Sequence, residues 1–247
     1  MTLTDKNLRE KEFHNKLQSK KKGRFEAIFY KAIHNLNEDF FNHLKHKTRN
    51  TDVLDYGCGV GTSVERIAQN NPKKIVGIDI SEVSINKAKA KAKDLNIKVN
   101  YKVDNCEKTS LESNSFDVVY GSGILHHLQF DKCLDEIHRL LKSNGSLVFI
   151  EPLGTNPLIN LYRKLTPNSR SVDEHPLVSK DFKYINKKFL ETKIKYYGFL
   201  TLLFFPFYKN PENSKIFKLL ASLDQHLFKL KFFRLFSWSV LIVAKKS

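Results

Sequence analysis

The chain contains little cysteine, and its three cysteines lie far apart. Cys58, Cys106 and Cys133 form no CxxC pair, so the sequence predicts neither a disulfide framework nor a metal site. Long apolar runs are also missing: the longest, residues 199–207, is far shorter than the roughly 18 residues of a membrane span. Residues 1–22 are polar and charged, without the apolar segment of a signal peptide. We therefore expect a protein of a reduced, cytoplasmic compartment.

Acidic residues are the minority among the charged side chains. The chain has 42 Lys and Arg against 26 Asp and Glu, which gives a net charge of +16. Such a charge attracts anionic partners, namely nucleic acids, phosphorylated metabolites or membrane surfaces. A composition rich in Lys and Asn is also typical of an AT-rich genome, in which case the charge carries no functional meaning. Both interpretations stay open, and no RNA-binding module is recognisable.

From residue 51 onward, short apolar segments of strand character alternate with helical periodicity. Five strands that alternate with helices predict an α/β fold with a doubly wound, mostly parallel sheet. Two further strands are predicted near the end of the chain. The seven predicted strands are residues 52–55, 74–79, 98–103, 115–120, 146–150, 193–205 and 239–244. The predicted helices in this part are residues 62–70, 82–95, 131–141 (closed by Lys142–Gly145), 182–189 and 215–236.

The first chemistry-bearing motif is a glycine-rich turn, Asp55-x-Gly57-x-Gly59-x-Gly61, between a strand and a helix. Its glycines allow the backbone to approach a ligand closely, and the helix N-terminus offers free N–H donors. Thr62 departs from the GxGxxG/A fingerprint of dinucleotide sites. The leading acid, Asp55, can hold an ammonium group, which NAD lacks and S-adenosyl-L-methionine (SAM) carries.

Acidic residues also follow the second and third strands. Asp79, followed by Ile80, can accept hydrogen bonds from both hydroxyls of a ribose, although NAD sites share this feature. The segment Asp104-Asn105-Cys106 can receive an adenine amino group. A solvated acid at a strand end and an Asx turn in a loop are the alternative interpretations of these segments.

The candidate catalytic residues follow the fourth and fifth strands. After Gly121 and Ser122, which leave room for a ligand, His126 and His127 can act as base or positioning group. Glu151 and His175 are candidates for substrate contact or proton removal. Capping and packing roles are the alternatives for all four candidates.

Together these motifs, in particular the SFDVV…LHHL segment, resemble those of the class I SAM-dependent methyltransferases of the bacterial small-molecule type. The resemblance covers residues 52–151 and implies a seven-stranded sheet with an antiparallel last strand. It places the three glycines of the turn at the methionine portion of SAM, Asp55 at its amino group and Asp79 at the ribose. It also places Asp104 and Asn105 at the adenine and Gly121 and Ser122 under the sulfonium. The predicted cofactor site consists of Asp55, Gly57, Cys58, Gly59, Gly61, Asp79, Ile80, Asp104, Asn105, Cys106, Gly121 and Ser122.

The remaining segments are expected to recognise the methyl acceptor. Residues 1–50 are predicted to form a helical lid, in which Phe13, His14 and residues 25–30 cover the cofactor; simple packing is the alternative. Residues 51–247 form the SAM-binding domain, with substrate-facing insertions at about 152–192 and 206–237. Aromatic residues between 199 and 238 favour an apolar, aromatic or lipid-like acceptor, and the interleaved lysines favour peripheral membrane contact. Nucleic acid is not the expected partner; an RNA methyltransferase and a catalytically silent SAM-binding protein are the alternative functions.

Overall fold

A seven-stranded sheet forms the centre of the computed structural model, which describes residues 3–19, 30–167, 170–208 and 210–247. The strand order is β3-β2-β1-β4-β5-β7-β6. Neighbours from β3 to β5 pair in parallel, and β7 runs antiparallel to both β5 and β6. The strands are β1 (Asp52–Tyr56), β2 (Lys74–Asp79), β3 (Asn100–Val103), β4 (Phe116–Ser122), β5 (Leu141–Pro152), β6 (Leu190–Tyr197) and β7 (Ser239–Lys245). The predicted α/β fold with its antiparallel last strand is confirmed.

Helices cover both faces of the sheet because alternate strand residues point to opposite sides. Val53 and its neighbours pack with the apolar residues of α2 and α3, whereas Leu54 belongs to the cluster that contains α5 and α7. Ile85 and Ala88 of α4 pack against β3. The described α-helices are α1 (Asp5–Ser19), α2 (His34–Lys47), α3 (Val64–Ala68), α4 (Glu82–Asp94), α5 (Phe130–Leu140), α6 (Pro157–Leu165), α7 (Ser179–Lys188), α8 (Leu200–Leu203) and α9 (Lys215–Leu227).

Three sequence-based predictions about element boundaries were wrong. The sixth strand does not reach residue 205: it ends at Tyr197, and Gly198 takes a φ of 79° before the short helix α8. Residues 142–145 do not close α5, because Leu141 is already extended and begins β5. The last long helix ends at Leu227, and a separate 3-10 helix covers Lys231–Phe236.

Helix α1 lies across the carboxyl end of the parallel strands and is tied to three separate loops. Ser81 Oγ is 2.6 Å from Asn15 Oδ1, and Asn105 Nδ2 donates to Asn7 Oδ1 at 3.2 Å. The Arg9 guanidinium donates to both carboxylate oxygens of Asp173, at 2.8 and 3.0 Å. The predicted lid segment around Phe25 lies outside the described residues. Among the described helices, none is long and apolar enough to cross a membrane.

Candidate active site

The glycine-rich turn places bare backbone at the carboxyl end of β1. Gly57, Gly59 and Gly61 all adopt positive φ values, of 73°, 50° and 70°. A Cβ atom added at Gly59 would meet no atom within 4 Å, so this backbone is open to a ligand. A Cβ at Gly61 would instead lie 2.6 Å from the Tyr101 hydroxyl. Gly61 therefore serves the packing of the turn, while Gly59 leaves free space beside it.

Two carboxyl groups flank this turn, those of the buried Asp55 and the half-buried Asp79. Asp79 accepts hydrogen bonds from the backbone N–H groups of Gly59, at 2.9 Å, and Ser81, at 2.8 Å. Burial raises the pKa of Asp55 to about 7, the charge of Asp79 adds to this rise, and the Tyr120 hydroxyl opposes it. A cation beside Asp55 would stabilise its ionised form, because the carboxylate would then be paired in this buried position.

Two neighbouring cavities open at the carboxyl end of the sheet, and they share Gly57, Gly59, Ser122, Gly123, His14 and His127. Their volumes are about 710 and 180 Å³. Asp79 and Asn105 line the smaller cavity, whereas Asp55 and Glu151 line the larger one. The predicted cofactor residues that line either cavity are Asp55, Gly57, Cys58, Gly59, Asp79, Ile80, Asn105, Cys106 and Ser122.

Three predicted cofactor residues do not line these cavities. Asp104 accepts hydrogen bonds from Asn105 N at 2.9 Å and from Ser110 N and Oγ at 2.9 and 2.7 Å, so its carboxylate stabilises its own loop. Gly121 is packed in the core, where an added Cβ would lie 2.5 Å from the Phe149 ring. Gly61 packs against Tyr101, as described above.

His126 and Glu151 form a buried pair in the wall of the larger cavity. His126 Nδ1 lies 2.7 Å from Glu151 Oε2. The other carboxylate oxygen, Oε1, accepts the backbone N–H groups of Ile124 and Leu125 at 2.9 and 2.8 Å. Because a carboxylate only accepts hydrogen bonds, it keeps the imidazole proton on Nδ1 and leaves Nε2 as the acceptor. This geometry can supply a positioned general base.

The other two histidine candidates have different surroundings. His127 Nδ1 lies 3.1 Å from Glu10 Oε2, and its Nε2 lies 4.0 Å from Glu174 Oε1. The side chain of His175 is 46% exposed and faces Asp181 at 3.5 Å, away from both cavities. The structure therefore brings His126, His127 and Glu151 together and places His175 outside this group.

Several cavity residues were missed by the sequence reasoning. They are Asn7 and Glu10 of α1, Tyr162 and Arg163 of α6, and Arg170 and Glu174. They lie in segments without a recognisable motif. Only the tertiary fold shows that these segments line the site. The aromatic set predicted to line the acceptor site is also placed differently: Trp238 lines the cavity, whereas Phe217 and Phe228 are buried elsewhere and Phe207 is exposed.

Comparison with known proteins identifies the family. Residues 47–198 match the family model described as a methyltransferase domain. The chain belongs to this methyltransferase family. The class I resemblance inferred from the motifs is confirmed, and SAM is the methyl donor of the family.

Named relatives of this methyltransferase act on different acceptors. The chain is 33% identical over 138 residues to a ubiquinone biosynthesis O-methyltransferase of Pelagibacter ubique, covering 50% of this chain and 56% of that protein. It is 33% identical over 100 residues to phosphoethanolamine N-methyltransferase 3 of Arabidopsis thaliana, covering 40% of this chain and 20% of that protein. The chain thus spans about half or less of the length of these relatives.

A solved structure supports the fold over nearly the whole chain. The geranyl diphosphate C-methyltransferase of Streptomyces coelicolor superposes with a TM-score of 0.68 at 15% identity, covering 99% of this chain and 98% of that one. At this identity the similarity establishes the fold. The acceptor has to be inferred from the cavity itself.

Proposed function

We propose that the protein transfers the methyl group of SAM to a small, largely apolar acceptor whose reacting atom gives up a proton. The observation that carries this proposal is the His126–Glu151 pair, which lines the same cavity as the open backbone at Gly59. A positioned base beside a cofactor cradle suits methylation of a hydroxyl or another protonated group.

The residues around the glycine turn fit SAM as the donor. The free space at Gly59 admits the methionine portion, and the buried carboxyl of Asp55 offers a partner for its ammonium group. Asp79 and Asn105 line the adjoining smaller cavity, where the ribose and adenine would lie. When bound, SAM supplies an electrophilic methyl group on a positively charged sulfur.

The chain's own task is then alignment, exclusion of water and removal of a proton. Glu151 holds the His126 ring so that Nε2 can take the proton of the acceptor. Helix α1 closes the cofactor side of the site through Asn7, Asn15 and Arg9. We propose that α1 is the covering part of the lid predicted for residues 1–50, because α2 packs its buried residues against the sheet.

The walls of the larger cavity beyond His126 favour an apolar acceptor. Leu158, Ile159, Leu202, Leu203 and Trp238 line this part. Apolar walls with a few convergent polar groups are typical of small-molecule sites, whose volumes are about 300–1,000 Å³. We infer an aromatic or lipid-like acceptor.

Turnover to S-adenosylhomocysteine tests the proposed function. The purified protein with SAM should convert at least one acceptor from a panel of quinols, phenols and prenyl compounds. Tight SAM binding without any turnover would favour the catalytically silent alternative. Salt-sensitive RNA binding with methylation of RNA would favour the nucleic-acid alternative.

The raised pKa of Asp55 predicts a pH-dependent affinity for SAM. Below about pH 7 the carboxyl of the free protein is protonated and cannot pair with an ammonium group. SAM binding should therefore tighten about fivefold from pH 6 to pH 7.5, while most of the α-ammonium of SAM still carries its proton. In an Asp55→Asn variant the affinity should be low at both pH values. Calorimetric titration at the two pH values measures this effect, and an equal slope in the variant would contradict it.

The raised pKa of Asp55 also predicts that the free protein becomes less stable as the pH rises, although SAM binding becomes tighter. Since the folded-state pKa lies above that of an unfolded aspartate, Asp55 disfavours folding increasingly as the pH rises from about 4 to 7. Asp55→Asn should remove this slope, so the variant should unfold at a higher temperature than the wild type at pH 8. A lower unfolding temperature for the variant at that pH would contradict the assignment.

We also propose that the segment between β6 and β7 contacts an anionic membrane surface. Phe207, Phe232 and Leu219 of this segment are 69%, 63% and 61% exposed. Exposed lysines alternate with them, namely Lys215, Lys218, Lys229 and Lys231. Leu203, itself 44% exposed, also lines the larger cavity and so connects this surface with the acceptor site. Apolar side chains flanked by lysines favour binding at the interface of anionic lipids.

Vesicle sedimentation tests the membrane contact. The protein should sediment with phosphatidylglycerol vesicles more than with phosphatidylcholine vesicles, and added salt should weaken the binding. A Phe207→Glu/Phe232→Glu variant should lose most of this binding. Leu95→Glu, at a 39% exposed position after α4, is the matched control and should bind normally. Unchanged vesicle binding in the double variant, or a change only in its oligomeric mass, would overturn the proposal.

A further inference from the structure

The larger cavity contains an arginine that has no carboxylate partner among the described residues. Arg163 of α6 lines this cavity, and its Nη1 donates to Leu153 O at 2.7 Å and to Asn160 Oδ1 at 2.9 Å. Both acceptors are neutral. Within the described part of the chain, no carboxylate oxygen lies within salt-bridge distance of Arg163. The positive charge of its guanidinium therefore forms no direct ion pair with any described residue.

A second arginine lies beside the first and adds positive charge to the same wall. Arg170 lines the cavity, and its Nη1 donates to the carbonyl oxygen of Arg163 at 3.1 Å. Its guanidinium lies 5.5 Å from the centre of the Tyr162 ring and 3.7 Å from Glu174. Burial and the charge of Arg170 lower the pKa of Arg163 to about 10, so Arg163 remains protonated at neutral pH.

The carboxylates that line the cavity are engaged with other groups. Glu151 accepts hydrogen bonds from two backbone N–H groups and pairs with His126. Glu174 faces Arg170 at 3.7 Å and His127 at 4.0 Å. Asp55 lies at the glycine turn, where we propose that it pairs with the ammonium group of SAM. An unpaired cation in a largely apolar wall is costly, and a bound anion would offset this cost.

From these contacts we infer an anion-binding subsite at Arg163 and Arg170, which holds a phosphate or carboxylate group of the methyl acceptor. This inference rests on the proposed function and specifies its substrate class: an amphipathic molecule with an apolar body and an anionic group. Leu158, Ile159 and Trp238 would contact the apolar body. The forked guanidinium of Arg163 has donors available for two oxygens of one anionic group.

The carboxylate of SAM is the competing occupant of this subsite. Arg163 lines the larger cavity, and the smaller cavity beside Asp79 does not include it. It belongs to the segment after β5, among the residues that form the apolar wall. This position favours the methyl acceptor over the cofactor as the occupant of the subsite. If the acceptor binds there, an Arg163 variant loses affinity for the anionic acceptor; if the carboxylate of SAM binds there, the variant loses affinity for SAM.

The single tryptophan allows binding to be measured without turnover. Trp238 is the only tryptophan of the chain and lines the cavity, so its fluorescence reports on occupants. In the presence of S-adenosylhomocysteine, decyl phosphate or decanoate should bind at least about tenfold more tightly than decanol, since only the anionic ligands form charge-assisted hydrogen bonds with Arg163. Decyltrimethylammonium should bind more weakly than decanol.

Variants assign this preference to the arginines. Arg163→Gln should weaken the binding of decyl phosphate about tenfold or more. The affinities for decanol and for SAM should stay within about twofold of the wild-type values. Arg66→Gln removes an exposed arginine on α3, paired with Glu38, and is the matched control. Arg170→Gln should give a smaller loss, because Glu174 already compensates part of its charge.

The possible failures are distinguishable. If the wild type binds SAM but does not prefer the anionic ligands over decanol, the anion subsite is wrong and the proposed function stands. If Arg163→Gln loses SAM affinity and keeps its preference for decyl phosphate, the arginine serves the cofactor and the inference is overturned. If the wild type does not bind SAM, the proposed function itself fails.

Discussion

A Gly59→Arg variant should remain folded and bind SAM at least about 100-fold more weakly than the wild type, a loss of nearly 3 kcal/mol. The reason lies in the space beside this glycine, where an added Cβ meets no atom within 4 Å. A long side chain can therefore leave the backbone without a clash and occupy the space that we propose for the methionine portion of SAM. Its positive charge would also repel the positively charged sulfur of SAM.

Two alanine variants separate loss of the ligand site from loss of the fold. Gly59→Ala adds one methyl group to open space at a φ of 50°, so it should cost modest stability and little SAM affinity. Gly61→Ala should destabilise the protein, because its Cβ would lie 2.6 Å from the Tyr101 hydroxyl. Calorimetry and thermal unfolding measure the two effects. Unchanged SAM affinity in a folded Gly59→Arg protein would contradict the cofactor assignment.

The sheet could be predicted because its signals are local. The inner parallel strands β1, β2 and β4 are buried on both faces, so each appears as a short apolar run, and helical periodicity follows it. The edge strand β3 is mostly exposed and alternates instead. The motif residues Asp55, Gly59 and Asp79 directly follow or end such strands. Parallel strands place their carboxyl ends at one edge, which brings these residues into one site without knowledge of the loops.

The errors arose where tertiary contacts override local patterns. Residues 199–205 are apolar and aromatic and therefore favour a strand. The positive φ of Gly198 ends β6, and the backbone N–H groups of Phe199 and Leu200 donate to Asp224 of α9 at 3.2 and 2.7 Å. This buried carboxylate lies more than 20 positions away in the chain and holds the start of α8. Periodicity within a short window cannot reveal such a partner.

The roles of the charged residues equally depended on partners that no motif indicates. Asp104 follows a strand in the expected motif, yet Ser110 supplies the donors for its carboxylate. Glu10 lies in a highly charged helix, and its contact with His127 appears only when α1 crosses the site. Sequence patterns thus predicted residues that line the cavities beside the glycine turn, while the residues proposed for the acceptor side lie in insertions without a motif.

His126→Ala should lower the turnover number about 10²–10⁴-fold with an acceptor that must lose a proton. Nε2 of His126 is the ring nitrogen that Glu151 leaves available, whereas His127, whose Nδ1 faces Glu10 at 3.1 Å, has its Nε2 4.0 Å from Glu174. SAM affinity should stay within about twofold, since the proposed cofactor contacts lie at the glycine turn. Added imidazole should restore part of the rate by occupying the vacated space. His175→Ala is the matched control, because His175 lies outside both cavities.

Glu151→Gln tests the positioning of the ring separately. The amide oxygen can still accept from Ile124 N and Leu125 N, so the loop should keep its place. The amide nitrogen would then donate toward His126 Nδ1 and favour the tautomer that carries its proton on Nε2, which cannot act as a base. We therefore expect a fall in kcat of at least about tenfold with KM and SAM affinity nearly unchanged. A rise in KM at constant kcat would show instead that Glu151 contacts the acceptor, and full activity of His126→Ala would assign the proton transfer to another group.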